Sequence, residues 1–97
     1  MSAYLIFRVS NVTDPERMAV YRDKAPATFE KYGGRPLAAG GRTATHEGPE
    51  ETARLGIIEF PSYEAAETWI NSPEYQALKA ARAGAADLQL IILDGLA

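Results

Sequence analysis

The sequence predicts an α+β fold in which one four-stranded antiparallel sheet carries its helices on a single face. Three observations predict it. Apolar stretches that alternate sides every two residues stand at 4–9, 54–60 and 87–93, which is the period of a β-strand. Proline-based helix starts, Asp14-Pro15-Glu16 and Ser72-Pro73-Glu74, lie between them. Glycine pairs and a Gly48-Pro49 turn punctuate the remainder.

Taken in order, Tyr4 to Val9 is the first strand, with faces Tyr4, Ile6, Arg8 and Leu5, Phe7, Val9. A helix follows. Asp14 is placed to cap it, Pro15 to take the first helical position and Glu16 to complement the helix dipole. Met18, Tyr21, Ala25, Phe29 and Tyr32 recur every three or four residues and make one buried stripe. Arg17, Arg22, Lys24, Glu30 and Lys31 fall elsewhere and read as a solvated face. Pro26 lies inside this helix, where it removes a backbone hydrogen bond and is expected to bend the axis. Gly33 is the expected left-handed cap.

Arg35 to Glu47 reads as a long extended segment with a bulge expected at Gly40-Gly41. Gly48-Pro49-Glu50-Glu51 turns, and Arg54 to Phe60 returns as the third strand, so the second and third strands form a hairpin. Ser62 caps a short helix whose buried stripe is Ala66, Trp69 and Ile70. Ser72-Pro73 starts another, with Tyr75, Leu78 and Arg82 on one side and helix-favouring alanines around them. Gly84 weakens its end, and Asp87 to Leu93 is the last strand. Strand, helix, strand, strand, helix, strand, joined by right-handed crossovers, is the ferredoxin-like arrangement. A single domain over residues 1–97 is expected.

Composition excludes several function classes. With 46% hydrophobic and 24% charged residues, the 97-residue chain can build one modest core and does not read as disordered. A net charge of −3 lacks the basic excess of a nucleic-acid module. There is no cysteine, hence no disulfide frame, thiolate nucleophile or cysteine metal site. Met1-Ser2-Ala3-Tyr4 does not open a signal peptide, and the run Leu90 to Leu93 is far short of a membrane span. A cytoplasmic protein without nucleic-acid or membrane partners is the expectation.

The strands are apolar on both sides. Tyr4 and Ile6 oppose Leu5 and Phe7, Leu55 and Ile57 oppose Ile58 and Phe60, and Leu88, Leu90 and Ile92 oppose Ile91 and Leu93. The helices cover one face. The other would expose an apolar patch on the order of several hundred Å², which monomers rarely tolerate. A second copy, sheet facing sheet about a twofold axis, is the simplest cover. A homodimeric α/β-barrel is therefore expected.

Tyr32-Gly33-Gly34, Gly40-Gly41, Glu47-Gly48, Ile58-Glu59-Phe60, Ala66 with Trp69, Ser72-Pro73-Glu74-Tyr75, Arg82 and Asp94-Gly95 together resemble the small bacterial family called domain of unknown function 1330. The resemblance covers nearly the whole chain. It implies a dimeric α/β-barrel and supplies no reaction. The wider superfamily resembles cofactor-free monooxygenases, lactone isomerases and haem-binding dismutases, an analogy of fold alone.

Candidate chemistry is sparse. With Ile58 and Phe60 on the helices, Glu59 faces the inner side beside Ile57, and Arg8 faces it beside Ile6. An Arg8–Glu59 constellation at the end of an apolar pocket can orient a ligand or move a proton; the same two residues also read as a structural ion pair or as charges at a wet rim. His46, the sole histidine, is a candidate general base and equally an exposed loop residue. Arg42 is a candidate anion ligand. Tyr21, Trp69 and Tyr75 are core residues that can also wall a ligand site, and Arg82 is expected to pair with Asp94. No metal site and no cofactor motif is evident, and the glycine pairs fit neither a dinucleotide nor a phosphate loop. Two functions are carried forward. One is a homodimer binding a small organic molecule between sheet and helices, with a cofactor-independent, oxygenase- or isomerase-like enzyme as its active form. The other is a non-catalytic accessory module.

Overall fold

Alternation at period two and caps at helix starts decide most of the architecture. The computed structural model describes residues 1–96. The order is β1 (Ala3–Ser10), α1 (Pro15–Glu30), β2 (Arg35–Ala39), β3 (Arg54–Phe60), α2 (Tyr63–Ile70), α3 (Pro73–Ala81) and β4 (Asp87–Asp94). The strands form one antiparallel-paired sheet in the order β2-β3-β1-β4. Each crossover therefore skips one strand, which is the ferredoxin-like topology. No described helix is long and apolar enough to cross a membrane.

The three expected caps form. Asp14 Oδ1 accepts from the Arg17 N–H (3.1 Å), Ser62 Oγ from Ala65 (3.0 Å) and Ser72 Oγ from Tyr75 (3.2 Å), each satisfying an orphan donor of a first turn. Gly33 takes φ +87° as α1 ends, and the Gly34 N–H reaches back to the Phe29 carbonyl at 2.9 Å. Helix α1 continues through Pro26, which has no N–H to give to the Arg22 carbonyl.

Register sorts the side chains into two faces. On the helix side, Leu5 lies between Ile58 and Ile92, and Phe7 between Gly56 and Leu90. Leu5, Ile58 and Phe60 join Phe29, Ala66, Trp69 and Tyr75 in the core. Gly56 makes room for Phe7: a Cβ there would collide with the Phe7 ring and lie 2.8 Å from the Ala38 carbonyl oxygen. Gly56→Ala is thus expected to destabilise by about 1–3 kcal/mol, the usual cost of overpacking, read as a lower urea midpoint. An unchanged midpoint would mean that the Phe7 ring moves aside freely.

Two expectations need correction at the hairpin. The second strand stops at Ala39 instead of running to Glu47, and residues 40–53 form a loop. Gly40 adopts φ +71° and donates its N–H to Leu55 (2.7 Å), which turns the chain off the sheet. The bulge falls between Pro36 and Ala38 and not at Gly40-Gly41, because a proline cannot donate to the ladder.

The helical layer is tied together by α1 and α3. Arg17 donates to the Ala81 carbonyl (2.8 Å) and the Ala83 carbonyl (2.6 Å), groups left open at the end of α3. Glu74, in the first turn of α3, accepts from Lys31 Nζ and from the Tyr32 hydroxyl, both at 2.9 Å. The Lys31 hydrogen bond, followed by that of Tyr32, brings the Glu74 carboxyl down to about 2 from an ordinary 4.5. Its contribution to stability is therefore complete above the unfolded value and is lost as pH falls from about 4.5 to 2. Glu74→Gln is expected to shrink the gap between melting temperatures at pH 7 and pH 3. A gap as wide as wild type would show that acid lability arises elsewhere.

Candidate functional site

A cavity of about 240 Å³ lies between α1 and the sheet. Its origin is local. Helix α1 leans on α3, and small side chains (Ala25 on α1, Ala38 and Ala39 on β2) face the space that larger ones would fill. Phe7, Met18, Phe29, Trp69 and Leu90 are among its apolar lining residues, Tyr21 also lines it, and the charged lining groups among the described residues are Arg22 and Arg54.

Tyr21 belongs to a polar cluster where α1 meets α3. Its hydroxyl lies 3.1 Å from the Tyr75 hydroxyl, which accepts from Arg82 Nη2 at 2.9 Å. The Arg82 guanidinium also sits 5.0 Å from the Tyr21 ring centroid, within cation–π range. Burial, reinforced by Tyr75 and opposed by Arg82, pushes the Tyr21 phenol well above its ordinary range. It is a neutral hydroxyl, able to donate or accept one hydrogen bond, and not a ready base. The Trp69 and Tyr75 rings pack in a tilted contact, centroids 4.4 Å apart, so three of the residues expected to wall a site, Tyr21, Trp69 and Tyr75, do meet. The expected Arg82–Asp94 pair does not form: Arg82 follows α3, whereas Asp94 ends β4 at the far end of that strand.

Arg8 and Glu59 do share a face, the one opposite the helices, but they do not meet. Arg8 is opposite Leu55 and Gln89, while Glu59 is opposite Tyr4 and Arg35. Four residues of strand separate them, about 13 Å at the usual rise. Each has another partner. Both nitrogens of an Arg8 fork bind the Glu51 carboxylate, with Nη2 to Oε2 at 2.7 Å. Arg35 holds Glu59 at 2.7 and 2.8 Å. Hydrogen bonds from these arginines hold both carboxyls below the ordinary carboxylate range. Neither Arg8 nor Glu59 reaches the cavity, which lies on the other side of the sheet. His46 and Arg42 are exposed in the 40–53 loop and line no part of the cavity.

The open face is a set of cross-strand rows. Its middle row is Ile57, Ile6 and Ile91, side by side on three strands. Ile57 is 36% exposed, Ile91 44% and Leu93 55%.

Sequence reading missed the cavity's Arg22 and Arg54 and did not assign Phe7 or Met18 to a site. A signal existed for both arginines. Arg22 is four residues from Met18 and from Pro26, at the edge of the buried stripe, and Arg54 shares its strand face with Gly56 and Ile58.

Solved structures agree with the topology. A protein of unknown function from Rhodopseudomonas palustris superposes with a TM-score of 0.75 at 26% identity, covering 99% of this chain and 83% of that one. A dimeric ferredoxin-like protein of unknown function from Jannaschia sp. superposes at 0.70 with 11% identity, covering 98% of this chain and 100% of that one. SnoaB, a cofactor-independent oxygenase from Streptomyces nogalater, does so at 0.65 with 11% identity, covering 99% and 94%. The last two likenesses concern fold alone. No curated protein matches the chain in sequence. The model of the family described as domain of unknown function DUF1330 matches residues 2–96, and the chain belongs to that family.

Proposed function

We propose that the protein is a homodimer, sheet against sheet, that binds a small organic molecule between α1 and the sheet. The cavity carries this reading: about 240 Å³ of apolar-walled space beside one half-buried tyrosine is the usual form of a small-ligand site. A 150 Å³ apolar cavity accommodates benzene, so there is room here for a substituted ring or a short chain. The row of isoleucines supports the dimer, as does the dimeric ferredoxin-like neighbour from Jannaschia sp.. In this reading Arg8 and Glu59 belong to the dimer face, and its formation leaves the cavity mouth free.

Trp69, the sole tryptophan, stands in the cavity wall and reports occupancy. Titration with aryl and alkyl compounds of one ring or about eight carbons is expected to give a saturable change in its emission, abolished by Ala25→Leu, which fills the space. No saturable response to any of them would overturn the reading. A cofactor-independent enzyme is the second reading, favoured by Tyr21, a hydroxyl-bearing residue of the lining, and by the fold shared with SnoaB. It requires that Tyr21→Phe slow turnover of a bound compound while leaving its affinity in place.

A further inference from the structure

The charge at the cavity has one sign. Arg22, from α1, and Arg54, from the start of β3, enter from opposite walls, and no carboxylate lines the space among the described residues. Both line the cavity and are exposed, the setting in which an arginine can lay its aliphatic stem on an apolar wall and keep its guanidinium in water. Three other arginines of the described chain are engaged with carboxylates: Arg8 with Glu51, Arg17 with Asp14 and Arg35 with Glu59. Arg22 and Arg54 have no such pair among the described residues; Arg54 has only a long bond, 3.4 Å, to the Ala39 carbonyl. In a chain of net charge −3, a mouth that carries two cations and no anion is a local reversal of sign.

We infer that the ligand is an amphipathic organic anion, with an apolar body in the cavity and a single carboxylate held at the mouth by Arg22 and Arg54. This rests on the binding reading above and adds the ligand class. The walls reward a hydrophobic body by burial. They exclude a charge from the interior, where no cation reaches and desolvation is unopposed. The guanidinium forks match a carboxylate in shape and donate charge-assisted hydrogen bonds, which are about twice as strong as neutral ones. A neutral isostere of the same body loses that contact and keeps the rest.

The test compares carboxylates with their own amides: 3-phenylpropanoate with 3-phenylpropanamide, and octanoate with octanamide. Binding is followed by Trp69 emission and by calorimetry. Wild type is expected to favour each acid at least tenfold, with the preference shrinking as salt rises. Arg22→Gln/Arg54→Gln is expected to bind acid and amide within about twofold, with amide affinity unchanged. Both side chains are exposed, so the variant should fold, and circular dichroism verifies it; the single variants serve if the double does not. Equal binding of acid and amide by wild type overturns the ligand class and leaves the binding reading standing. A preference that survives in the double variant overturns the assignment to these arginines. Failure of all four compounds to bind overturns the inference together with the reading beneath it.

Discussion

Trp69→Ala is expected to remove about 3–5 kcal/mol of stability, the range for deleting a large buried aromatic ring. A domain of this size is stable by roughly 5–15 kcal/mol, so the substitution removes a large share of the total and, at the low end of that range, leaves the fold marginal. The size of the effect follows from the contacts. Trp69 is 1% exposed, and its ring centroid lies 4.4 Å from Tyr75, 5.6 Å from Phe60 and 6.1 Å from Phe29. It thereby joins α1, α3 and β3 at one point. Its indole N–H donates to the Thr28 hydroxyl at 3.0 Å, and that hydroxyl donates to the Ala25 carbonyl at 2.7 Å. Trp69→Phe keeps an aromatic body but gives up the donor, so a smaller loss, about 1–2 kcal/mol, is expected. Urea denaturation followed by circular dichroism measures both. A Trp69→Ala loss under 1 kcal/mol would mean that α1 and α3 collapse into the vacated space.

Ile57→Asp/Ile91→Asp is expected to convert a dimer into a folded monomer. The two positions flank Ile6 in the middle row of the open face, and in a twofold assembly each substitution acts twice. If each isoleucine contributes on the order of 1 kcal/mol to association, the four together weaken it by roughly a thousandfold. The buried carboxylates weaken it further. Both residues are already exposed in the single chain, so the monomer core is untouched. Light scattering at micromolar concentration should return twice 10.5 kDa for wild type and 10.5 kDa for the variant, each with the same circular dichroism. Wild type at 10.5 kDa would end the dimer reading.

The two expectations draw on different levels of information. Alternation alone puts Ile57 on one face with Leu55 and Glu59, and Ile91 on one face with Leu93, since neighbouring side chains of a strand must point to opposite sides; register and the packing of the helices decide that these faces are the open one. The caps at Asp14, Ser62 and Ser72 were legible for a similar reason: a side-chain oxygen beside a proline or acidic first turn needs only its immediate neighbours to act. Gly33 and the break between α2 and α3 belong to the same class. The long extended reading of residues 35–47 failed because a strand needs a partner to bond, and a glycine at φ +71° removed it.

For the candidate site, Tyr21 and Trp69 were named in advance, because aromatic residues at helical spacing had to face something. Arg22 was assigned to solvent, yet it stands at the mouth of the cavity. Arg8 and Glu59 share a face, as alternation requires, but stand about 13 Å apart along it, a separation that only the register reveals.

Local chemistry in the chain was enough to decide the order of strands and helices, though not where β2 ends, and also where each helix begins, which side chains share a face and that the sheet is apolar on both sides. Tertiary structure alone decided the partners: Arg8 with Glu51, Glu59 with Arg35, Arg82 with Tyr75, and a cavity beneath α1. The physical reason is range. Caps and alternation are settled within a few residues, whereas strand register and the standoff of a helix depend on groups dozens of positions away that only packing brings together.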